Sequence, residues 1–421
     1  MKSTPDWIHS ANIYEVNIRQ YTQEGTFKAL MQHLPRLQKM GVKVLWLMPI
    51  TPISIKNKLG SLGSPYSAAD YISINPEFGD LEDFRNLVAQ AHALDMKLLI
   101  DWVANHTGWD HVWTDLYPEF YKKNESGNFK TAECMNDIIE LDYSNAEMRA
   151  KMIESMKFWI SECNIDGFRC DLASWVPLDF WVEARNEAET LKPMFFFGEF
   201  DELENPDYKQ TFDASYAWKW MHFSEYFIKE NLSIEDFKNL LIQYSNLGDE
   251  TMRVWFTSNH DENSWNGTEY EKYEHLALPL AVFSITWNGI SLLYSGQEIP
   301  NQKRLKFFDK DPINWNQPIK LNNFHEKLLH LKLNHPALRG GDSNVKTYFI
   351  NTSKNSKILA YLRKNGKDEV LVFLNLSKEI VEFSIEDEHI QGNFQNVFQN
   401  EEFSLYQKLE IGGYKVFSKS S

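Results

Sequence analysis

Three acidic residues, each at the end of a mostly apolar run, are the first candidates for chemistry in this chain. Asp171 ends the segment 167–171 (Gly-Phe-Arg-Cys-Asp), Glu199 follows residues 194–198, and Asp261 follows the run that begins at residue 253. Short apolar runs of this kind predict buried strands. A carboxylate held at a strand end can attack carbon or stabilise a cation when ionised, and it can supply a proton when protonated.

Arg169 is the residue that would set the state of Asp171. Side chains alternate along a strand with period two, so Arg169 and Asp171 share one face. A neighbouring guanidinium favours an ionised carboxylate, and we therefore expect Arg169 to lower the pKa of Asp171. The pair could equally be a structural ion pair at the end of a strand, and this segment alone leaves both alternatives open.

The strands that would position these acids can be located along the chain. Eight segments are predicted as strands, at residues 13–18, 42–48, 97–102, 166–170, 194–198, 211–214, 253–258 and 290–294. Between them, apolar residues spaced three and four apart predict helices, one of them over residues 27–37 with a kink at Pro35 and an end at Gly41. Eight strand–helix units favour a parallel (β/α)8 barrel. A doubly wound open sheet gives no reason for eight units, and the chain lacks a Gly-rich phosphate turn.

Two parts of the chain interrupt or follow this alternation. Residues 103–142 show no clear period and are predicted as a short inserted domain after the third strand. Residues 342–421 contain short apolar runs around the turn dipeptide Asn365-Gly366, which predicts an antiparallel β-sandwich domain. The catalytic barrel is then expected from residues 1–102 and 143–341, with a capping box at Ser144 and Glu147 opening the helix after the insertion.

In such a barrel the carboxyl ends of the strands meet, so the three acids would converge on one rim, together with Asp101, His106 and His260. A zinc site is disfavoured because there is no thiolate or histidine ligand set, and a hard-cation site would place Arg169 against the metal. Glycoside hydrolysis fits better, because it needs one ionised carboxylate to attack the anomeric carbon and one protonated acid for the leaving oxygen. Apolar bulk before Glu199 and like charges around it favour the protonated form.

Four short segments resemble, in their order, the four motifs of the α-amylase family, glycoside hydrolase family 13. They are residues 101–106 (Asp-Trp-Val-Ala-Asn-His), 167–171, 197–199 (Phe-Gly-Glu) and 256–261 (Phe-Thr-Ser-Asn-His-Asp). The resemblance extends over nearly the whole chain. It implies a retaining hydrolase of α-glucosidic bonds, foremost the α-1,4 bonds of starch-like glucans or maltooligosaccharides, acting through a covalent glycosyl-enzyme intermediate. An α-glucan transglycosylase using the same intermediate is the alternative, and a non-catalytic binding module is disfavoured because all three acids are present.

The resemblance also implies a role for each matching residue. Asp171 would be the nucleophile, Glu199 the general acid and base, and Asp261 a group that binds and distorts the sugar. Arg169 would orient Asp171. The residues implied in substrate binding are Tyr66, which matches a stacking tyrosine after the second strand, His106 and His260, which match groups that hydrogen-bond the sugar, and Asp101 of the first motif.

Two positions depart from the family pattern. Many amylases carry Lys-His three and four residues after the nucleophile, where the pair binds the leaving-side sugar and helps a calcium site, but this chain has Ser174 and Trp175. We therefore expect Trp175 to contact the substrate differently, by stacking on sugar. Asn105 resembles the family's calcium-linked asparagine, and either calcium binding or attachment of the insertion to the barrel would explain it. No cofactor is expected to be required.

The composition limits the partners and the compartment. A formal net charge of −16 argues against nucleic acid or an anionic membrane as the main partner and suits a neutral glucan. Cys134, Cys163 and Cys170 are expected to be reduced thiols, because their number is odd and no metal spacing appears. The first residues lack the apolar core of a signal peptide, and no run is long enough to span a membrane. A cytoplasmic location is expected, with the periplasm or exterior as the alternative if a leader was removed.

Overall fold

The computed structural model describes residues 4–132, 135–230 and 232–420. Within them, eight parallel strands close into a barrel in chain order, which confirms the predicted (β/α)8 architecture. The barrel strands are Asn12–Val16, Val44–Leu47, Lys97–Trp102, Gly167–Cys170, Phe195–Asp201, Ala214–Tyr216, Met252–Phe256 and Ile290–Tyr294. The sixth strand begins later than predicted, because Thr211 still belongs to the preceding turn and its N–H bonds to the Tyr208 carbonyl. Nearly every strand residue is buried, as expected of strands covered on both faces.

Helices alternate with the barrel strands and cover them. The α-helices of the described residues are Ile18–Tyr21, Phe27–Met31, Leu34–Met40, Leu81–Ala93, Val112–Leu116, Ala146–Cys163, Leu178–Glu189, Trp218–Lys229, Ile234–Asn246, Glu269–Tyr273, Ala277–Thr286 and Asn322–Asn334. None of these helices is both long enough and apolar enough to cross a membrane. The segment predicted as one kinked helix forms two helices, Phe27–Met31 and Leu34–Met40, because Pro35 lies in the first turn of the second helix. Gly41, with φ 96°, ends this second helix as predicted.

The helix Ala146–Cys163 leads into the strand that carries Asp171. It buries Met148, Met152, Met156 and Trp159 on one face, and each such side chain contributes roughly 1.5–3 kcal/mol of hydrophobic stabilisation. The predicted capping box at Ser144 and Glu147 is wrong. Asn145 is the N-cap instead, because its side-chain oxygen accepts from the N–H groups of Glu147 and Met148 and so satisfies two donors of the first turn.

The segment after the third strand forms a small antiparallel sheet, although its sequence shows no clear period. The sheet consists of His106–Gly108, Met135–Glu140 and Thr131–Ala132, in that spatial order with Met135–Glu140 central. The N–H of Leu141 donates to the Asn105 carbonyl at 3.1 Å, which fastens the end of the segment to the barrel rim. The insertion thereby stands beside the carboxyl ends of the strands.

The C-terminal part is antiparallel, as predicted. A five-stranded sheet contains Lys346–Phe349, Ile358–Asn365, Asp368–Asn375, Tyr414–Lys419 and Gln395–Asn396, and Val381–Ser384 pairs with Tyr406–Leu409. Asn365 pairs with Asp368, so the hairpin turn is Gly366-Lys367, and Gly366 has φ 60°. Phe373 and Phe417 of the larger sheet share one buried cluster with Phe383 and Leu409 of the smaller.

Two of the three thiols can be placed. Cys163 and Cys170 are buried and free, and burial raises the pKa of both. A thiol with a raised pKa is a poor nucleophile, so neither cysteine is a candidate for catalysis. Cys134 lies outside the described residues, as do residues 1–3 of the N-terminal segment that lacks the apolar core of a signal peptide.

Candidate active site

One guanidinium contacts three carboxylates at the ends of the third, fourth and fifth strands. Arg169 is fully buried, and strand pairing sets it beside Asp101. Its Nη1 donates to Asp171 Oδ1 at 2.9 Å and to Asp101 Oδ1 at 3.1 Å, and its Nη2 lies 2.9 Å from Glu199 Oε1. A planar group with five N–H donors can fix several carboxylates at once. Arg169 therefore holds Asp101, Asp171 and Glu199 in one cluster.

The electrostatics of Asp171 differ from the sequence expectation. Burial, the largest effect, and then the charge of Glu199 raise the pKa of Asp171 well above its ordinary value, while Arg169 lowers it. Burial likewise raises the pKa of Asp101 to about 6 against the effect of Arg169. Arg169 therefore lowers the pKa of Asp171, as predicted, but burial and the charge of Glu199 outweigh this effect and leave the pKa above its ordinary value. Such a cluster retains a proton more readily than an isolated ion pair.

Glu199 is held from a second side by the backbone. The N–H of Leu172 donates to Glu199 Oε2 at 2.8 Å. Leu172 has φ 42° and ψ 44°, the left-handed region, which costs a residue with a Cβ roughly 1–2 kcal/mol. Strain of this kind is characteristic of functional sites. The surroundings of Glu199 are therefore more polar than the preceding phenylalanines suggested, which corrects the expectation of apolar bulk around it.

Three rings stand beside the acidic cluster. Tyr66 stacks on His260 with ring centroids 5.4 Å apart and on Phe307 at 6.2 Å. The Tyr66 hydroxyl donates to Asp101 Oδ2 at 3.0 Å and lies 2.7 Å from His260 Nε2. Asp261 Oδ2 lies 3.3 Å from the same nitrogen. Tyr66 and His260, predicted as substrate-binding residues, are thereby connected to both Asp101 and Asp261.

His106 and Asn105 lie where the third strand leads into the insertion, and both are buried. Asn105 Nδ2 faces His106 Nδ1 at 3.3 Å. Burial lowers the pKa of His106 to about 3, partly offset by a hydrogen bond with the Tyr66 backbone, so the ring is neutral near pH 7. A neutral ring can both donate and accept a hydrogen bond, which suits contact with a sugar hydroxyl.

The fit of a calcium ion at Asn105 can be tested on the donors present. Calcium takes about six to eight oxygen ligands, with carboxylates prominent among them. In the described part of the chain, no group of three or more His, Cys, Asp or Glu side chains is arranged to hold a metal ion. The Asn105 side chain faces a histidine, and its carbonyl is already bonded to Leu141. The residues at Asn105 therefore do not fit a carboxylate-based calcium site and instead attach the insertion to the barrel.

A cavity of about 470 Å³ lies above the acidic cluster. Five predicted site residues line it, namely Tyr66, His106, Asp171, Glu199 and Asp261. Arg169, Asp101 and His260 do not line it but contact residues that do. Trp175 is 47% exposed on the turn after Leu172 and is not part of the lining, so its stacking on sugar stays a prediction. The other lining residues are Leu59, Ser64, Met135, Asp137, Ile138, Leu172, Trp265, Phe307 and Phe308.

Sequence reasoning missed several contributors to this site. Glu15 lies buried in the first strand against His260, and no local pattern marks it. Leu172 was missed because its role depends on a backbone conformation. Phe307 and Phe308 could have been found, since an aromatic pair flanked by Lys306 and Asp309 is unusual in a polar loop.

Comparison with known proteins agrees with this geometry. The family model for the alpha amylase catalytic domain matches residues 7–131 and 118–339, and the one for the maltogenic amylase C-terminal domain matches residues 349–417. Alpha-amylase 2 of Dictyoglomus thermophilum is 23% identical over 96% of this chain and 75% of its own length. A cyclomaltodextrinase of Geobacillus thermopakistaniensis is 25% identical over 85% of this chain and 63% of its own length. The chain therefore spans only part of these relatives.

Solved structures match over almost the full length of both chains. A noncanonic maltogenic alpha-amylase from Thermotoga neapolitana superposes with a TM-score of 0.88 at 28% identity, over 98% of this chain and 99% of that one. An alpha-amylase from Lactobacillus plantarum gives 0.87 at 26% identity, over 98% and 100%. With its catalytic-domain match covering most of the barrel and its motif acids on one rim, the chain belongs to the α-amylase family of glycoside hydrolases.

Proposed function

We propose that this chain hydrolyses α-1,4-glucosidic bonds of starch-like glucans or maltooligosaccharides with retention of anomeric configuration. The observation that carries the proposal is the contact of Arg169 with both Asp171 and Glu199, each at 2.9 Å, beside a cavity. A retaining glycosidase needs two carboxyl groups roughly 5–5.5 Å apart, and a shared guanidinium holds two carboxyls near each other. The names alpha-amylase and cyclomaltodextrinase among its relatives support the substrate class.

In the first step, an oxygen of Asp171 forms a bond to the anomeric carbon while the bond from that carbon to the leaving oxygen breaks. Glu199 gives its proton to the leaving oxygen, which departs as the hydroxyl of the released sugar. Burial raises the pKa of both Asp101 and Asp171 despite their contacts with Arg169, which favours a proton held within this acidic cluster. Retaining hydrolysis requires this proton to be on Glu199 when the glycosidic bond breaks, and the hydrogen bond from Arg169 Nη1 favours the ionised form of Asp171 that attacks.

In the second step, a water molecule attacks the anomeric carbon and gives a proton to Glu199. The bond to Asp171 breaks, and the carboxylate returns to Arg169. Two inversions at one carbon give net retention. If a sugar hydroxyl takes the place of water, the same intermediate yields the transglycosylation considered above.

The sugar being cleaved is held by groups around the acids. His260 has a pKa of about 9, since Asp261 and Glu15 outweigh the opposing effect of burial, so it is an imidazolium at neutral pH. We assign to Asp261 and neutral His106 the hydrogen bonds to sugar hydroxyls, and to Tyr66 the stacking contact. His260, whose two ring nitrogens face Glu15 and Tyr66, holds Tyr66 and Asp261 in place. Groups held at fixed positions favour one orientation of the sugar ring.

Proton NMR of the first product formed from an α-glucan tests the proposal. We expect the α-anomer to appear first and to mutarotate afterwards, because retention follows from a covalent intermediate on Asp171. An initial β-anomer would exclude the two-step mechanism. Reaction mixtures in which products longer than the substrate accumulate first would favour the alternative function, transglycosylation.

The organisation of the chain and its compartment are part of the proposal. We propose residues 1–102 and 143–341 as the catalytic barrel, 103–142 as the inserted domain and 342–421 as the C-terminal domain, and limited proteolysis tests these boundaries.

We propose the cytoplasm as the compartment, with imported oligosaccharides as substrate. The buried free thiols of Cys163 and Cys170 are compatible with a reducing environment, and fractionation of the producing cells tests it.

A further inference from the structure

The loops after the second and eighth barrel strands meet over one side of the rim. The N–H of Leu62 donates to the Phe308 carbonyl at 3.1 Å, and the N–H of Ser61 donates to Asp309 Oδ1 at 3.0 Å. A Cβ added to Gly60 would lie 2.4 Å from Phe308 Cβ, so the two chains touch there. These contacts join segments that lie 248 residues apart in the sequence.

The loop after the second strand is also fastened at its other end. The N–H groups of Ile55 and Lys56 both donate to Asp110 Oδ2 at 3.0 Å, and Asp110 belongs to the insertion. A Cβ at Gly108 would lie 2.1 Å from Ser54 Cβ. Residues 54–62 therefore run without a gap from the insertion to the loop after the eighth strand, and we call this segment together with residues 307–309 the rim wall.

The side of the rim wall that faces the cavity is apolar. Leu59, Phe307 and Phe308 line the cavity, and Trp265 completes this surface. Trp265 is 53% exposed and lies 5.3 Å from Phe307 and 5.7 Å from Phe308 between ring centroids. Aromatic side chains here can stack on the ring face of a terminal sugar, while the contacts of Gly60 and Leu62 with Phe308 leave no opening between the two loops for a longer chain. An apolar wall suits the ring face of a chain end better than the passage of a chain.

The barrel order tells which half of the substrate meets the wall. Glu199 stands on the fifth strand and serves the leaving sugar, whereas the second and eighth strands lie across the barrel from it. With Glu199 serving the leaving sugar, the glycosyl part that is transferred to Asp171 would point the other way, toward the rim wall. In an α-1,4-glucan this part carries the non-reducing end.

We propose that the rim wall closes the site on the side of the transferred glycosyl group, so that the enzyme attacks glucan chains from the non-reducing end and releases short products. This inference rests on the proposed function and adds its mode of attack.

Two aryl maltooligosaccharides that differ only in a blocked non-reducing end test the inference. We expect the enzyme to cleave the free form faster by a factor of about ten or more, since the blocking group meets the wall. Equal rates on both would overturn the inference and leave the proposed function intact. Failure to cleave either substrate, with the chain folded by circular dichroism, would overturn the proposed function and the inference with it.

Removing the ring of Phe308 in the rim wall together with that of the adjacent Trp265 opens this side of the cavity without touching the acids. Trp265→Ala combined with Phe308→Ala should raise the relative rate on the blocked substrate and lengthen the first products from amylose. Tyr406→Ala, which removes a 79% exposed ring in the C-terminal domain, is the matched control and should keep the preference of the unmodified enzyme. A folded double variant with an unchanged preference for the free chain end would show that the wall does not cause it.

Discussion

Glu15 Oε1 lies 2.6 Å from His260 Nδ1, so a buried carboxylate of the first strand holds the ring contributed by the fourth motif. The same oxygen accepts from the backbone N–H of His260 at 3.2 Å. On the other side of the ring, Nε2 faces the Tyr66 hydroxyl, which itself donates to Asp101. Because the Tyr66 hydroxyl gives its proton to Asp101, His260 Nε2 must donate its own proton to the hydroxyl oxygen. Nδ1 donates to Glu15, so both ring nitrogens carry a proton, as expected from a pKa of about 9.

Glu15→Gln should lower the pKa of His260, because it removes one of the two carboxylates that raise it while keeping the size of the side chain. The folded pKa lies above the ordinary value of 6.5, so the ion pair stabilises the protein fully below that pH and ceases to do so as pH rises through about 9. The alkaline limb of the kcat/KM profile should accordingly move to lower pH. An alkaline limb unchanged by Glu15→Gln would contradict the assignment of this limb to His260. The control is Glu382→Gln, which changes a carboxylate whose side chain is 76% exposed and should leave the limb in place.

The two catalytic acids should respond differently to the leaving group. Glu199→Gln should lose roughly 10²–10⁴ in rate on maltooligosaccharides, as expected for loss of general acid catalysis, but much less of its glycosylation rate on an aryl maltoside with an acidic phenol. Asp171→Asn removes the attacking oxygen and should lose on the order of 10⁴ or more on both substrates. Pre-steady-state glycosylation of the two folded variants measures this. Rescue of Asp171→Asn, but not of Glu199→Gln, by the aryl leaving group would show the roles to be reversed.

Activity should survive prolonged treatment with EDTA. Asn105 faces His106 and Leu141, and Ser174 and Trp175 replace the Lys-His pair that accompanies calcium in many amylases. The test compares kcat/KM and the thermal midpoint before and after chelation and dialysis. Complete loss of activity that calcium alone restores would contradict the prediction.

Gly41 tests how the first helices pack on the barrel. It ends the helix Leu34–Met40 with φ 96°, and an added Cβ would lie 3.0 Å from Leu329 Cβ. Gly248 has a similar φ of 83° with no atom within 4 Å of such a Cβ, so it is a matched control in the same barrel. Gly248→Ala should lower the free energy of unfolding by roughly 1–2 kcal/mol, the cost of the left-handed conformation, and Gly41→Ala by more. Equal losses in urea titrations would mean that Leu329 moves aside freely.

The sequence by itself determined the barrel and the meeting of its acids. An apolar run followed by an acid is a local pattern, and any closed parallel barrel brings the carboxyl ends of its strands to one rim. Asp171, Glu199 and Asp261 could therefore be placed together without coordinates. The hairpin at Gly366 and the helix end at Gly41 were predictable for the same reason, because backbone conformation there depends on neighbouring residues.

Only the tertiary structure decided the environment of each group. The pKa of Asp171 is raised by burial and by the charges of Glu199 and Asp101, which stand on other strands, against the opposing effect of Arg169. The contact of Ser61 with Asp309 likewise joins residues far apart in the chain, as does that of Glu15 with His260. Burial and Coulomb interaction depend on distance through space, and no periodicity along the chain encodes which distant side chain will be the neighbour.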